Sequence, residues 1–264
     1  MDPIRIQTAA SKSTSVMKPN RTKGYVAGFF AVILVSPDAM LCRLPNTKED
    51  VLLVTAIRCV WIALFGTLTC TLQAGGIRTL LSRIRSHSRP LFLIGAVSSM
   101  TSIGFPLSLQ LTGLAEALLP ISLLPLWGSL MGRFLGDELP LHMKLVVLGA
   151  LCSIAVIFLP VIYLSGDNEF DRPNWLMGDV IAVLTGIGFG GYSNAVRYFS
   201  LRHPLMPTHA AQVLSSTNAA IICVFVMLAT QRPFVIHQPT RVTWVTELMG
   251  FIVNAAYLGF NLAP

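Results

Sequence analysis

At 264 residues, with 53% hydrophobic and only 12% charged side chains, the chain has too little charge to coat a soluble domain, where charged residues run at about 25%. Its net charge of +7 suggests nucleic acid, but the cations are scattered over the ends of apolar runs instead of forming one basic face, which argues against that class. A soluble α/β fold fails for a related reason: the apolar residues form long runs, not alternating faces.

About eight of these runs are roughly 18–24 residues long, enough to cross a hydrocarbon core of ~30 Å as helices. They fall at 25–44, 51–72, 91–112, 114–135, 143–164, 176–198, 209–230 and 245–262. Inside a bilayer every backbone amide must be satisfied within the protein, so helix is the default conformation. The predicted fold class is an all-α polytopic membrane protein.

Residues 1–24 are rich in Ser, Thr, Lys and Arg and predict a disordered cytosolic tail; a transit peptide is the competing reading. Lys and Arg then gather on one set of connections: Arg78, Arg83, Arg85 and Arg89 between spans two and three, Arg133 and Lys144 between four and five, and Arg197 and Arg202 between six and seven. The other set carries fewer (Arg43, Lys48, Arg172, Arg232, Arg241) and includes the acidic stretch Asp167–Asp171. By the positive-inside rule the N-terminus is cytosolic. The weak point is the loop between spans seven and eight, whose Arg232 and Arg241 fall outside. A multi-pass location is expected, with the plasma membrane preferred over an organelle. Cys42, Cys59, Cys70, Cys152 and Cys223 lie in spans or at their ends without a C-x-x-C spacing, so they read as packing residues. No metal site and no cofactor are expected.

An internal repeat emerges from the spans. The third reads Gly95-x8-Gly104-Phe105-x-Leu107 and the eighth Gly250-x8-Gly259-Phe260-x-Leu262, 155 positions later; Gly24 and Arg43 recur as Gly178 and Arg197, 154 later. A unit of that length holds five spans. An odd number forces the second copy to enter from the opposite side, the inverted-repeat plan of many secondary transporters. The expected layout is a tail (1–24), a first five-helix repeat (25–165), an outer loop (166–175) and a three-helix, incomplete second repeat (176–264), eight helices of an expected ten. On this offset, equivalents of spans four and five would follow Pro264.

Leu111-Thr112-Gly113-Leu114-Ala115-Glu116-Ala117-Leu118-Leu119, followed by Pro125-Leu126-Trp127 and Leu135-Gly136-Asp137-Glu138, resembles the EamA-type branch of the drug/metabolite transporter superfamily. Ser36-Pro37-Asp38, Arg58 and Gly178-Asp179 resemble it too, so the likeness runs over about 25–264. It implies a ten-span, five-plus-five inverted repeat that moves small organic molecules by alternating access. The chain departs from the family pattern in the Asp137 inserted in the Gly-Glu pair and in the absent ninth and tenth spans.

Ionisable side chains inside spans cost a few kcal/mol on insertion scales and are functional candidates by default. Asp38 lies six residues before the outer end of span one, about 9 Å, and Arg58 seven after the outer start of span two, about 10 Å. At equal depth on adjacent helices they are expected to pair, either lining a pathway or only locking two helices together. Glu116 opens the fourth span as a gate, proton-binding or interfacial carboxylate. Asn194, Ser215 and Asn218 are further pathway candidates, with interhelical hydrogen bonding as the equal alternative. Trp61 and Trp127 read as lipid-facing or packing residues, and Gly188-x-Gly190-Gly191 as a close-packing cluster.

No P-loop, H-E-x-x-H or G-x-S-x-G is present, which argues against an ATP-driven pump or an enzyme. The expected function is a secondary transporter or exporter of small metabolites or drugs. The alternatives are an organophosphate or nucleotide-sugar translocator of the same superfamily and a non-transporting fragment that needs a partner chain. Expected partners are the lipid bilayer and a small-molecule substrate, without nucleic acid; a homodimer is left open.

Overall fold

The computed structural model describes residues 37–42, 50–134, 175–203 and 206–262, with Val26, Ile33, Leu145, Leu148, Gly149 and Cys152 as isolated positions. The predicted tail, most of spans one and five, and the acidic loop 166–174 lie outside the described residues. All regular structure within them is helical. A helical segment at 37–41 precedes α1 (Val51–Ala74), α2 (Ile77–Ser86), α3 (Ser88–Leu111), α4 (Leu114–Ser122), α5 (Leu124–Phe134), α6 (Trp175–Arg202), α7 (Thr208–Ala229) and α8 (Pro239–Leu262). Four of these, α1, α3, α6 and α7, are long and apolar enough to cross a membrane. At 24 residues, α1 is about 36 Å long.

The helix ends follow local chemistry. Asp50 caps α1 by accepting from the Leu52 amide at 2.8 Å and the Leu53 amide at 3.4 Å, satisfying donors that a helix start leaves open. Gly75 ends α1 at φ 76°, with the Gly75 and Gly76 amides returning to the carbonyls of Leu72 and Thr71. This left-handed turn favours glycine because it has no Cβ. The segment beyond it, expected as a plain connection, contains α2.

The span expected at 114–135 is divided at Leu123, where α4 gives way to α5. Pro125 has no amide hydrogen to give the Ile121 carbonyl, so the ladder cannot run through. The Trp127 indole donates to the Pro120 carbonyl at 2.8 Å across the break. Trp127 is therefore a structural hydrogen-bond donor as well as a packing residue.

The bundle is organised around the antiparallel contact of α1 with α7; α3 packs on α6 and α7, α8 on α1, and α4 and α5 on α6. The approaches are made by small residues. A Cβ at Gly66 would lie 2.8 Å from Val213 Cγ2 on α7, and one at Gly250 would lie 2.7 Å from Trp61 Cβ on α1. Cys59 of α1 is buried with Ala219 and Ala220 of α7. Without a hydrophobic drive between helices in lipid, such close backbone approach is what holds them. On α6, a Cβ at Gly186 would meet the Pro120 carbonyl oxygen at 2.5 Å and Trp127 Nε1 at 2.8 Å, and one at Gly190 would meet Trp127 Cβ at 2.6 Å. The glycine cluster thus seats α6 on the α4–α5 break.

At the end of the bundle where α1 begins, Arg232 Nη1 lies 3.0 Å from Asp50 Oδ2. The arginine after α7, an apparent exception to the charge asymmetry, is thereby neutralised by a carboxylate on its own side. At the other end, Leu80 of α2 is buried with Cys70 of α1 and Ala210 of α7.

These contacts predict opposite fates for two neighbouring glycines. Gly186→Ala should lower stability by about 1–3 kcal/mol through overpacking against a carbonyl. Gly191→Ala, whose nearest neighbour is Val97 at 3.9 Å, should be neutral or slightly stabilising, since alanine is the better helix former. Thermal melting of the two variants in detergent checks both.

Candidate functional site

Asp38 sits directly after Pro37 in the helical segment 37–41, and Arg58 lies in the second turn of α1. The structure brings them together: Arg58 Nη2 donates to Asp38 Oδ2 at 2.6 Å, with Asp38 3% and Arg58 6% exposed. The surroundings are apolar. Ala39 and Cys42 pack with Leu109, Ala117 and Met249, and Cys59, next in sequence to Arg58, is fully buried. Removing two charges from water costs several kcal/mol per ion, recovered only when geometry and further hydrogen bonds are good. Here the contact is through one guanidinium nitrogen and one carboxylate oxygen. Asp38 Oδ1 and Arg58 Nε are buried with no hydrogen-bond partner among the described residues, so the pair retains one acceptor and one donor for a third group.

Glu116 lies at the same end of the bundle, on the hairpin between α3 and α4. Its Oε2 accepts from the Gly113 amide at 2.8 Å and from the Thr112 hydroxyl at 2.5 Å. The Thr112 oxygen is also 2.7 Å from Asp179 Oδ1 in the first turns of α6. One hydroxyl proton can serve only one carboxylate at a time, so Glu116 and Asp179 are linked through a shared donor. Gly178 lets this junction close, since a Cβ there would lie 2.8 Å from Thr112 Cβ. Asp179, which reads from sequence as a residue at a span end, belongs to the same cluster as Glu116.

The remaining candidates are dispersed. Asn194 Nδ2 donates to the Gly128 carbonyl at 2.7 Å and the Gly190 carbonyl at 3.0 Å, bridging α5 and α6. Ser215 is fully buried, its hydroxyl 3.4 Å from that of Ser102 on α3. Asn218 is half-buried on α7.

Sequence reasoning gave no pathway role to four polar positions. Gln212 Oε1 and Ser216 Oγ, one turn apart on α7, are buried without a partner among the described residues. Asn254 of α8 donates to the Ile62 carbonyl at 3.0 Å and the Gly250 carbonyl at 2.8 Å. His209 Nε2 lies 3.5 Å from Asn254 Oδ1 and 3.4 Å from Thr69 Oγ1. The available signal was the i, i+4 spacing of Gln212 and Ser216 inside an otherwise apolar run. A cavity of about 200 Å³ lined by Gln73, Arg83, Met206 and His209 opens at the α2 end and shares no residue with the Asp38–Arg58 pair. Among the described residues no group of three or more His, Cys, Asp or Glu converges as a metal site.

No protein-family model, curated protein or solved structure matches the chain.

Removing either partner of the buried pair strands the other charge. Asp38→Ala or Arg58→Ala alone should cost about 3–5 kcal/mol, while replacing both with apolar residues (Asp38→Leu with Arg58→Met) should restore most of it. Denaturant titration of the purified full chain in mixed micelles measures all three.

Proposed function

We propose that the chain is a secondary transporter of small organic molecules, built on an inverted repeat and resembling the EamA-type drug/metabolite transporters. The observation that carries this reading is a set of contacts that recur when the two halves are exchanged. Gly95 of α3 faces Leu214 and Ser215 of α7, and Gly250 of α8 faces Trp61 and Ile62 of α1; Gly250 follows Gly95 by 155 positions and Ser215 follows Trp61 by 154. The central contact maps onto itself in the same way. Gly66 meets Val213 and Cys59 is clustered with Ala220, each partner being the other's equivalent 154 positions on. This pattern supports two halves related by a pseudo-two-fold axis, with α1 and α7 nearest to it.

One pair of the unpartnered buried atoms follows the same relation. Those of the described residues are on Asp38, Arg58, Gln212 and Ser216, and Gln212 is the equivalent of Arg58. Because α1 and α7 are antiparallel, the two positions lie toward opposite ends of the bundle. The reading is of a charged half-site at the outer end and an uncharged one at the inner end, each with hydrogen-bonding capacity to offer a passing solute. Alternating access would expose them in turn. The cytosolic N-terminus, the four-part domain layout and the plasma membrane belong to this same proposal.

Reconstituted in proteoliposomes with an imposed pH gradient, the chain is expected to accumulate at least one member of a panel of radiolabelled amino acids and cationic dyes. Asp38→Asn and Arg58→Gln are each expected to reduce that accumulation by an order of magnitude or more, about 1.4 kcal/mol per tenfold. Unchanged uptake in both variants would remove the ion pair from the pathway. No uptake across the panel by a well-folded wild-type chain would count against the transporter reading itself.

A further inference from the structure

The helix α2 does not belong to the pathway described above, and its surface has a composition that the interior of the bundle does not explain. With 10 residues it is about 15 Å long, half of what is needed to cross ~30 Å of hydrocarbon. It is joined by Gly75 and Gly76 to the end of α1 and by His87 to the start of α3, both of which are long and apolar enough to span. A short helix held between the same-side ends of two spanning helices lies at the level where the bilayer meets water.

Its side chains are ordered accordingly. At 100° per residue, Leu80, Ile84, Ile77 and Leu81 form one apolar arc, with Thr79, Ser82 and Ser86 opposite. The arc is used in two halves. Leu80 is buried against Cys70 and Ala210, with Ile84 beside it. Ile77 and Leu81 are 55% and 58% exposed. Arg78 and Arg85 both follow Leu81 around the wheel, bordering the exposed half, and both are exposed. No carboxylate occurs from Val51 to Ala115, and neither arginine has an ion-pair partner among the described residues. An exposed apolar pair edged by unneutralised guanidinium groups is complementary to acyl chains beneath anionic headgroups.

We infer that α2 is an interfacial helix that seats Ile77 and Leu81 among the acyl chains and binds anionic lipid headgroups through Arg78 and Arg85. The inference rests on the chain being embedded in a bilayer but not on its transporting anything. Through Leu80 the bound lipid is one residue from the contact between the end of α1 and the start of α7, so headgroup binding stabilises that end of the central helix pair.

The test uses the full chain in nanodiscs of phosphatidylcholine with a minor fraction of spin-labelled phosphatidylserine. The readout is the motionally restricted fraction of the label, compared with spin-labelled phosphatidylcholine. The serine lipid is expected to be preferred, and the preference to weaken as salt is raised, because the contacts lie where screening acts. Arg78→Gln with Arg85→Gln should reduce it by about fivefold per arginine. Arg78→Lys with Arg85→Lys should keep most of it, and Arg241→Gln, at the other end of the bundle, should leave it unchanged. Equal association of the two lipids with the wild-type chain, or an equal loss in Arg241→Gln, overturns the inference. Displacement of the labelled lipid by inorganic phosphate at matched ionic strength also overturns it, in favour of a soluble anion. The salt titration needs only the wild-type chain, so misfolding of a variant does not leave the question open. Carbonate extraction of the chain from membranes reports separately on whether it is embedded at all.

Discussion

The close approach of α1 and α7 is the contact on which the rest of the bundle depends. Lipid tails are as apolar as leucine, so burying apolar surface between two helices in a bilayer gains little. What holds helices there is the dispersion and hydrogen bonding that become available when backbones come near. Gly66 meeting Val213, and Cys59 against Ala219 and Ala220, supply that nearness along α1 and α7. Helices α3 and α8 then pack on the two sides of this pair, each through a glycine, and α6 is carried on α3.

Polar groups within this frame divide into those used for construction and those left over. Asn254 gives its amide hydrogens to carbonyls on α1 and on its own helix, and Asn194 does the same between α5 and α6. Both hold helices together through these bonds. Asp38, Arg58, Gln212 and Ser216 are different, because each keeps an atom that nothing among the described residues satisfies. In a low-dielectric interior such atoms cost free energy, and they lie on the central helices and on the segment beside them.

How much of this could be read from the sequence varied with the kind of signal. Unbroken apolar runs marked α1, α3, α6 and α7 because length alone distinguishes a spanning helix. The meeting of Asp38 and Arg58 was legible because charges are conspicuous in such runs and two rise-per-residue estimates gave equal depth. Gln212 and Ser216 were not, since uncharged polar residues are common in membrane helices and only packing decides which are satisfied. The arginines of α2 concealed a helix: they were counted as loop charge in the positive-inside reading, while their 100° ordering around Leu81 went unweighed. The division at Leu123 was written in Pro120 and Pro125, but proline inside a spanning helix is often absorbed without a break, and the end of α4 at Ser122 and the start of α5 at Leu124 show that here it was not.

The Arg232–Asp50 contact joins residues 182 positions apart, and both are partly open to solvent, so it adds little to stability. Its significance lies in the order of assembly. At a synthesis rate of about 5–20 residues per second, roughly ten to forty seconds separate the emergence of the two side chains. Throughout that interval Asp50 can do no more than cap the start of α1, and the central groove of α1 has no α7 to fill it. The first helices must therefore wait in the membrane as loosely associated pieces. The clasp marks the moment when the later half arrives and the earlier half acquires its permanent neighbours.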